Sequence, residues 1–110
     1  MSSILVATDF SPRSDRALRR AVLTARQIAA NLVLLHALDD DLPETLLSVQ
    51  RDASEAVLAE MADTIVNADQ IECSYRLALG DPFRVLIDTA RDMKQDIIVM
   101  GPHRRNLLKD

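Results

Sequence analysis

At 110 residues, 48% hydrophobic and 27% charged, the chain has the size and composition of one small globular domain, not of a disordered segment. A net charge of −4, 3% aromatic residues and no tryptophan argue against a phosphate backbone or stacked bases as partner, so no nucleic acid is expected. The single cysteine, Cys73, excludes an internal disulfide or thiolate metal cage, and no run approaches the roughly 18 to 20 apolar residues that cross a bilayer, so the expected setting is the cytoplasm, away from membranes.

Glycine is scarce, with only Gly80 and Gly101, so neither a dinucleotide fingerprint nor a Walker-type loop can form. The first strand is expected over Ser3 to Thr8, an apolar run suited to burial on both faces. Asp9 stands at the join, and Ser11-Pro12 opens a helix with Ser as cap and Pro at the first helical position. Ala17, Leu18, Ala21, Val22, Ala25, Ile28 and Ala29 form the inward side of that helix, and Asn31 is expected to end it. Leu32 to Ala37 reads as a second buried strand. Asp39-Asp40-Asp41-Leu42-Pro43 is an acidic turn. A long helix follows from about Glu44 to Asn67, with Leu46, Val49, Ala53, Val57, Met61 and Ile65 as its expected inward stripe.

From Ile71 to Leu79 the period changes to alternation, which suits a strand at a sheet edge. Gly80-Asp81-Pro82 is a turn, cap and helix start in succession. The third helix is expected to bury Phe83, Leu86, Ile87 and Ala90 and to run out near Met93 or Lys94. Ile97 to Met100 is a last apolar strand, ending on Gly101-Pro102. The pattern β-α-β-α-β-α-β with crossover-length connections predicts an α/β fold: an open, Rossmann-like parallel sheet with helices on both faces. Central apolar strands and an alternating edge strand give the order 3-2-1-4. Winding then reverses between the first and last strands, which brings Thr8-Asp9-Phe10 beside Met100-Gly101-Pro102, where a ligand crevice is expected.

The runs Ile4-Leu5-Val6-Ala7-Thr8-Asp9-Phe10-Ser11, Leu34-Leu35-His36-Ala37, Gly80-Asp81-Pro82 and Ile97-Ile98-Val99-Met100-Gly101 resemble the universal stress protein family, in order and across essentially the whole chain. The resemblance implies a Rossmann-like five-stranded domain, usually homodimeric, in bacterial stress physiology, with ATP bound by many members and not by others. It implies nucleotide contacts from Ala7, Thr8 and Asp9 at the end of the first strand and from Ala37 near the adenine. The family's phosphate motif runs glycine, two residues, glycine, nine residues, then glycine with Ser or Thr. Met100 and Gly101 match its start. Arg104 replaces the second glycine, where a Cβ and long side chain stand in the way of close backbone approach. The third would fall beyond Asp110. Residues 1–110 therefore read as a single domain without the family's fifth strand and last helix. The free edge of the last strand is expected to be covered by a second subunit or by a natural continuation of the chain.

Each candidate residue also has a plainer reading. Asp9 can bind ribose or adenine, or cap the following turn through backbone N–H groups. His103, Arg104, Arg105 and Lys109 can gather an anion, replacing lost glycine contacts, but as a charge run they fit a solvated helix start better. His36 reads as a satisfied core histidine, because no metal-ligand spacing accompanies it. The Asp39–Asp41 triplet reads as a solvated loop, and it stands after the wrong strand for a phosphate-accepting receiver domain. Cys73 points with Ile71 and Tyr75 as a small buried hydrophobe. No metal site and no nucleophile, base and orienting group can be assembled, so no enzyme is expected. The leading expectation is a non-enzymatic stress-response regulatory or chaperone-like binding domain, a homo-oligomer with weak or absent ATP binding. The alternative is an ATP-binding switch using Asp9 and Gly101, with Arg104 or Arg105 on a phosphate and slow hydrolysis at most.

Overall fold

A computed structural model describes residues 2–93 and 97–100. Its elements are β1 (Ser3–Ala7), α1 (Pro12–Ile28), β2 (Asn31–Leu38), α2 (Glu44–Asp69), β3 (Cys73–Leu79), α3 (Pro82–Met93) and β4 (Ile97–Met100). The four strands are parallel in the order β3-β2-β1-β4, as the strand pattern predicts.

Because strand side chains alternate between faces, β1 and β2 each feed two cores. Ile4, Val6, Leu32 and Leu34 pack with Ala21, Val22 and Ala25 of α1 and Leu58, Ala62 and Ile65 of α2. Leu5, Val33 and Leu35 face the other way, onto Val85 and Leu86 of α3. Helices therefore cover both faces. Ile4, Leu5, Val6 and Leu34 are wholly excluded from solvent, the burial expected of strands inside a parallel sheet.

Several expectations from helical spacing need correction. In α1, Ala21, Val22 and Ala25 are buried, but Ile28 and Ala29 are exposed, and buried Ser14 joins the inner face instead. Asn31 does not end that helix. Ala29 turns the chain in the left-handed region at φ 57°, and Asn31 is already in β2, donating its N–H to the Ser2 carbonyl. The two-residue connection forces the turn before Asn31 is reached.

The inward line of α2 is Ser54, Leu58, Ala62 and Ile65, one residue round from the expected Ala53, Val57 and Met61. Residues 44–53 bury nothing, so Leu46 and Val49 face solvent. Length explains this: the 26 residues of α2 span about 39 Å at 1.5 Å each, whereas the 7 residues of β3 span only about 23 Å. The helix overreaches its sheet. Leu79, at the end of β3, is also exposed. In α3 the buried pair is Val85 and Leu86, with Ala90 and Met93 half-buried, while Phe83 and Ile87 lie outward. The third strand begins at Cys73, and Ile71 is buried in the approach to it.

The displaced stripe of α2 gives a direct test. Leu58→Ala should cost about 2–5 kcal/mol in urea denaturation by opening a cavity in a fully enclosed site. Val57→Ala, at a residue 43% exposed, should change stability by about 0.5 kcal/mol or less.

Candidate functional site

The upper end of β1 passes into α1 through Thr8, Asp9, Phe10 and Ser11, which hydrogen-bond chiefly to one another and to Ser14. Thr8 is buried; its N–H continues the ladder to the Leu35 carbonyl, and its hydroxyl oxygen accepts from the Phe10 N–H at 3.1 Å. Asp9 Oδ1 accepts from the Ser11 N–H at 2.9 Å and from the Ser14 hydroxyl at 2.5 Å. The Asp9 N–H donates to Ser14 Oγ at 3.1 Å, and Ser11 Oγ caps α1 by accepting from the Ser14 N–H at 3.2 Å. Asp9 thus caps the turn as its plainer reading required, but through one oxygen. Oδ2 has no hydrogen-bond partner among the described residues, on a side chain exposed at the sheet's upper rim.

Burial acts to raise the Asp9 pKa, but the Ser11 and Ser14 hydroxyls and the Ser11 N–H outweigh it and hold the carboxyl at about 2, below its ordinary 3.8. The group is therefore an anion with one oxygen fixed and the other available.

Phe10 follows Asp9 with φ at 66°, in the left-handed region that a bulky side chain enters at a cost of roughly 1–2 kcal/mol. Two contacts hold it there. Its N–H is bonded to Thr8, and its ring stacks on the His36 imidazole with centroids 4.2 Å apart and planes 24° apart. His36 Nδ1 lies 2.8 Å from the Thr8 carbonyl oxygen. The histidine is satisfied, as expected, but it is half-buried at the end of β2, and its partner is the site's own backbone.

On the α3 side, Ala7, Ala37 and Ala78 lie at the ends of three adjacent strands and are only partly covered. Ala37 pairs directly with Ala78, and Ala7 stands opposite Leu35 on β2 and Met100 on β4. Their three side chains lie on one face of the sheet near its upper end, with Ala37 two residues further along than the partner of Ala7. The structure thus gathers Ala7, Thr8, Asp9, Ala37 and the backbone of Met100 at one end of the sheet. Gly101, His103, Arg104, Arg105 and Lys109 lie outside the described residues.

The sequence did not single out Ser14 or Ala78, and it set Phe10 at the crevice without pairing it to His36. Ser14 stands five residues beyond Asp9, outside the short-range capping patterns, and nothing local marks Phe10 as the partner of a histidine on another strand. Asp39, Asp40 and Asp41 form an exposed group with carboxylate oxygens within 4.8 Å of one another, and Asp39 Oδ1 accepts the Asp41 N–H at 2.8 Å. That is an acidic turn closed on its own backbone. Burial raises the Cys73 thiol to about 11, so it is not poised as a thiolate. A concavity of about 420 Å³ lies between α1 and α2 and another of about 510 Å³ at the lower end of β2 and β3, both away from Asp9.

The model of the universal stress protein family matches residues 1–110. The chain belongs to the universal stress protein family. A stress response protein, NhaX of Bacillus subtilis, is 26% identical, with 96% of this chain and 82% of the relative covered. A universal stress protein from Burkholderia pseudomallei is 30% identical, superimposes with a TM-score of 0.80, and is matched over 98% of this chain and 88% of its own. A universal stress protein solved in complex with cAMP is 25% identical with a TM-score of 0.71, over 89% of this chain and 74% of that one. For this universal stress protein the α/β fold drawn from strand patterns is shared with those solved neighbours. Among the described residues no helix is long and apolar enough to cross a membrane.

Two measurements check the turn. Because the folded Asp9 pKa is depressed, its contribution to stability is complete above the unfolded value near 3.8 and is lost as pH falls through about 2. Asp9→Asn should therefore lose less stability than the wild type across that interval, as read from urea midpoints. Phe10→Gly and Phe10→Ala both lose the stack, but only glycine is at ease at φ 66°. The glycine variant should be the more stable by about 1 kcal/mol in the same assay.

Proposed function

We propose that this universal stress protein is a non-enzymatic binding domain of the stress response whose switch-point crevice takes an adenine nucleotide weakly. The observation that carries this reading is the divided role of Asp9: Oδ1 is locked by Ser11 and Ser14, and Oδ2 has no hydrogen-bond partner among the described residues. A fixed carboxylate oxygen of that kind suits the hydroxyl or amino donors of a nucleoside. The alanine face near the same end of the sheet suits a flat base. The relative bound to cAMP makes an adenine nucleotide the natural class of ligand.

Weakness follows from the phosphate end. Gly101 matches the start of the family's glycine motif, but Arg104 stands where close backbone approach calls for a second glycine. The protein acts in the cytoplasm as a homo-oligomer, with a dimer the expected form. β4 pairs only with β1 among the described residues, which leaves an edge that a second subunit can cover. No metal takes part in this reading.

The second reading is a tight ATP switch, with Asp9 and Gly101 holding the nucleotide, Arg104 or Arg105 on a phosphate and slow hydrolysis at most. Calorimetry with Mg-ATP and with cAMP separates the two. Weak binding abolished by Asp9→Asn is the expected result. Micromolar Mg-ATP binding that is lost in the same variant, accompanied by phosphate release, would favour the switch. Binding unaffected by Asp9→Asn would remove the crevice from both.

A further inference from the structure

His36 reaches the site from the neighbouring strand, across twenty-eight residues of sequence. Its Nδ1 and the Thr8 carbonyl oxygen are 2.8 Å apart, and a carbonyl oxygen can only accept. The imidazole is therefore the donor, with its proton on Nδ1. The Thr8 carbonyl shares a rigid peptide plane with the Asp9 N–H. That N–H donates to Ser14 Oγ, and the Ser14 hydroxyl donates in turn to Asp9 Oδ1. The donors run in one direction from imidazole through peptide and hydroxyl to carboxylate. In such a chain each bond polarises the next.

The same ring stacks on Phe10 and supports its left-handed backbone. One side chain thus fixes the residue before Asp9 and the residue after it. His36 also immediately precedes Ala37, so its bond to Thr8 ties the carboxylate side of the crevice to the alanine face.

We propose that His36 is the positioning residue of the crevice, holding the Asp9 carboxylate in place through the Thr8 peptide and the Phe10 ring. Its effect on affinity rests on the nucleotide reading above; its effect on Asp9 does not.

Two variants divide the parts. His36→Phe keeps an aromatic face for Phe10 and removes the Nδ1 donor. His36→Asn sets an amide N–H near the place of Nδ1 and gives up most of the ring. Carbon-13 NMR follows the Asp9 carboxyl, and calorimetry follows Mg-ATP. In His36→Phe the Asp9 midpoint should rise from about 2 toward 3.8, and Mg-ATP should bind about 3- to 10-fold more weakly, the worth of one hydrogen bond. His36→Asn should recover the part of both readings that the bond to Thr8 carries. An Asp9 midpoint unmoved in His36→Phe overturns the proposal. So does a nitrogen-15 spectrum of the wild type that puts the neutral ring's proton on Nε2, a result that needs no variant to fold. Should the wild type fail to bind Mg-ATP, the nucleotide reading falls and the Asp9 midpoint alone decides the role of His36.

Discussion

β1 must be buried on both faces, and the rest of the sheet follows from that. Its Ile4 and Val6 face α1 and α2, and its Leu5 faces α3. A strand of five residues with no exposed face needs a strand on either side and a helix layer above and below. β2 and β4 supply the sides. The crossovers supply the layers, α1 and α2 winding one way and α3 returning on the other face. Polar groups can enter such an arrangement only where the strands end, which is why Thr8, Asp9 and His36 all meet there.

At that end the backbone has to leave an extended strand and start a helix within a few residues. The chain does so by closing hydrogen bonds among Thr8, Asp9, Ser11 and Ser14 and by holding Phe10 at φ 66°. A strained residue persists only where its surroundings over-determine it. Here the surroundings are the His36 ring and the Thr8 hydroxyl. The result is a carboxylate with one oxygen committed to the fold and one facing outward, held as an anion by its serine partners. The fold commits Oδ1 of that carboxylate and makes no hydrogen bond to Oδ2 among the described residues.

The two longer departures from simple helical spacing have a common cause. A periodic apolar stripe states which side of a helix is apolar but not how much of it has anything to lie on. α2 is longer than the strands beneath it, so its first turns carry Leu46 and Val49 into solvent. α3 is amphipathic too, yet only Val85 and Leu86 are fully buried among its described residues, Ala90 and Met93 pack beside them half-covered, and Phe83 and Ile87 are exposed. In both helices the sheet's width and length, not the helix's own pattern, set the buried line.

Local sequence determined the elements, their order and the nature of the joint at Asp9. Period, caps and breakers act over a few residues, so Ser11-Pro12 and Gly80-Asp81-Pro82 announce helix starts wherever the chain later places them. Asp9 stood out by its place at the joint, and the family resemblance added Ala7, Thr8, Ala37, Met100 and Gly101, with His103, Arg104 and Arg105 beyond them. Tertiary structure decided which Asp9 oxygen the turn engages, which face of α2 is buried, and that His36 belongs to the turn at the end of β1. Those depend on contacts between residues far apart in the chain. The bond from His36 to Thr8 exists only because β2 lies beside β1 in one register, with Ala7 opposite Leu35. No local pattern around His36 encodes that register; the joint burial of both strands does.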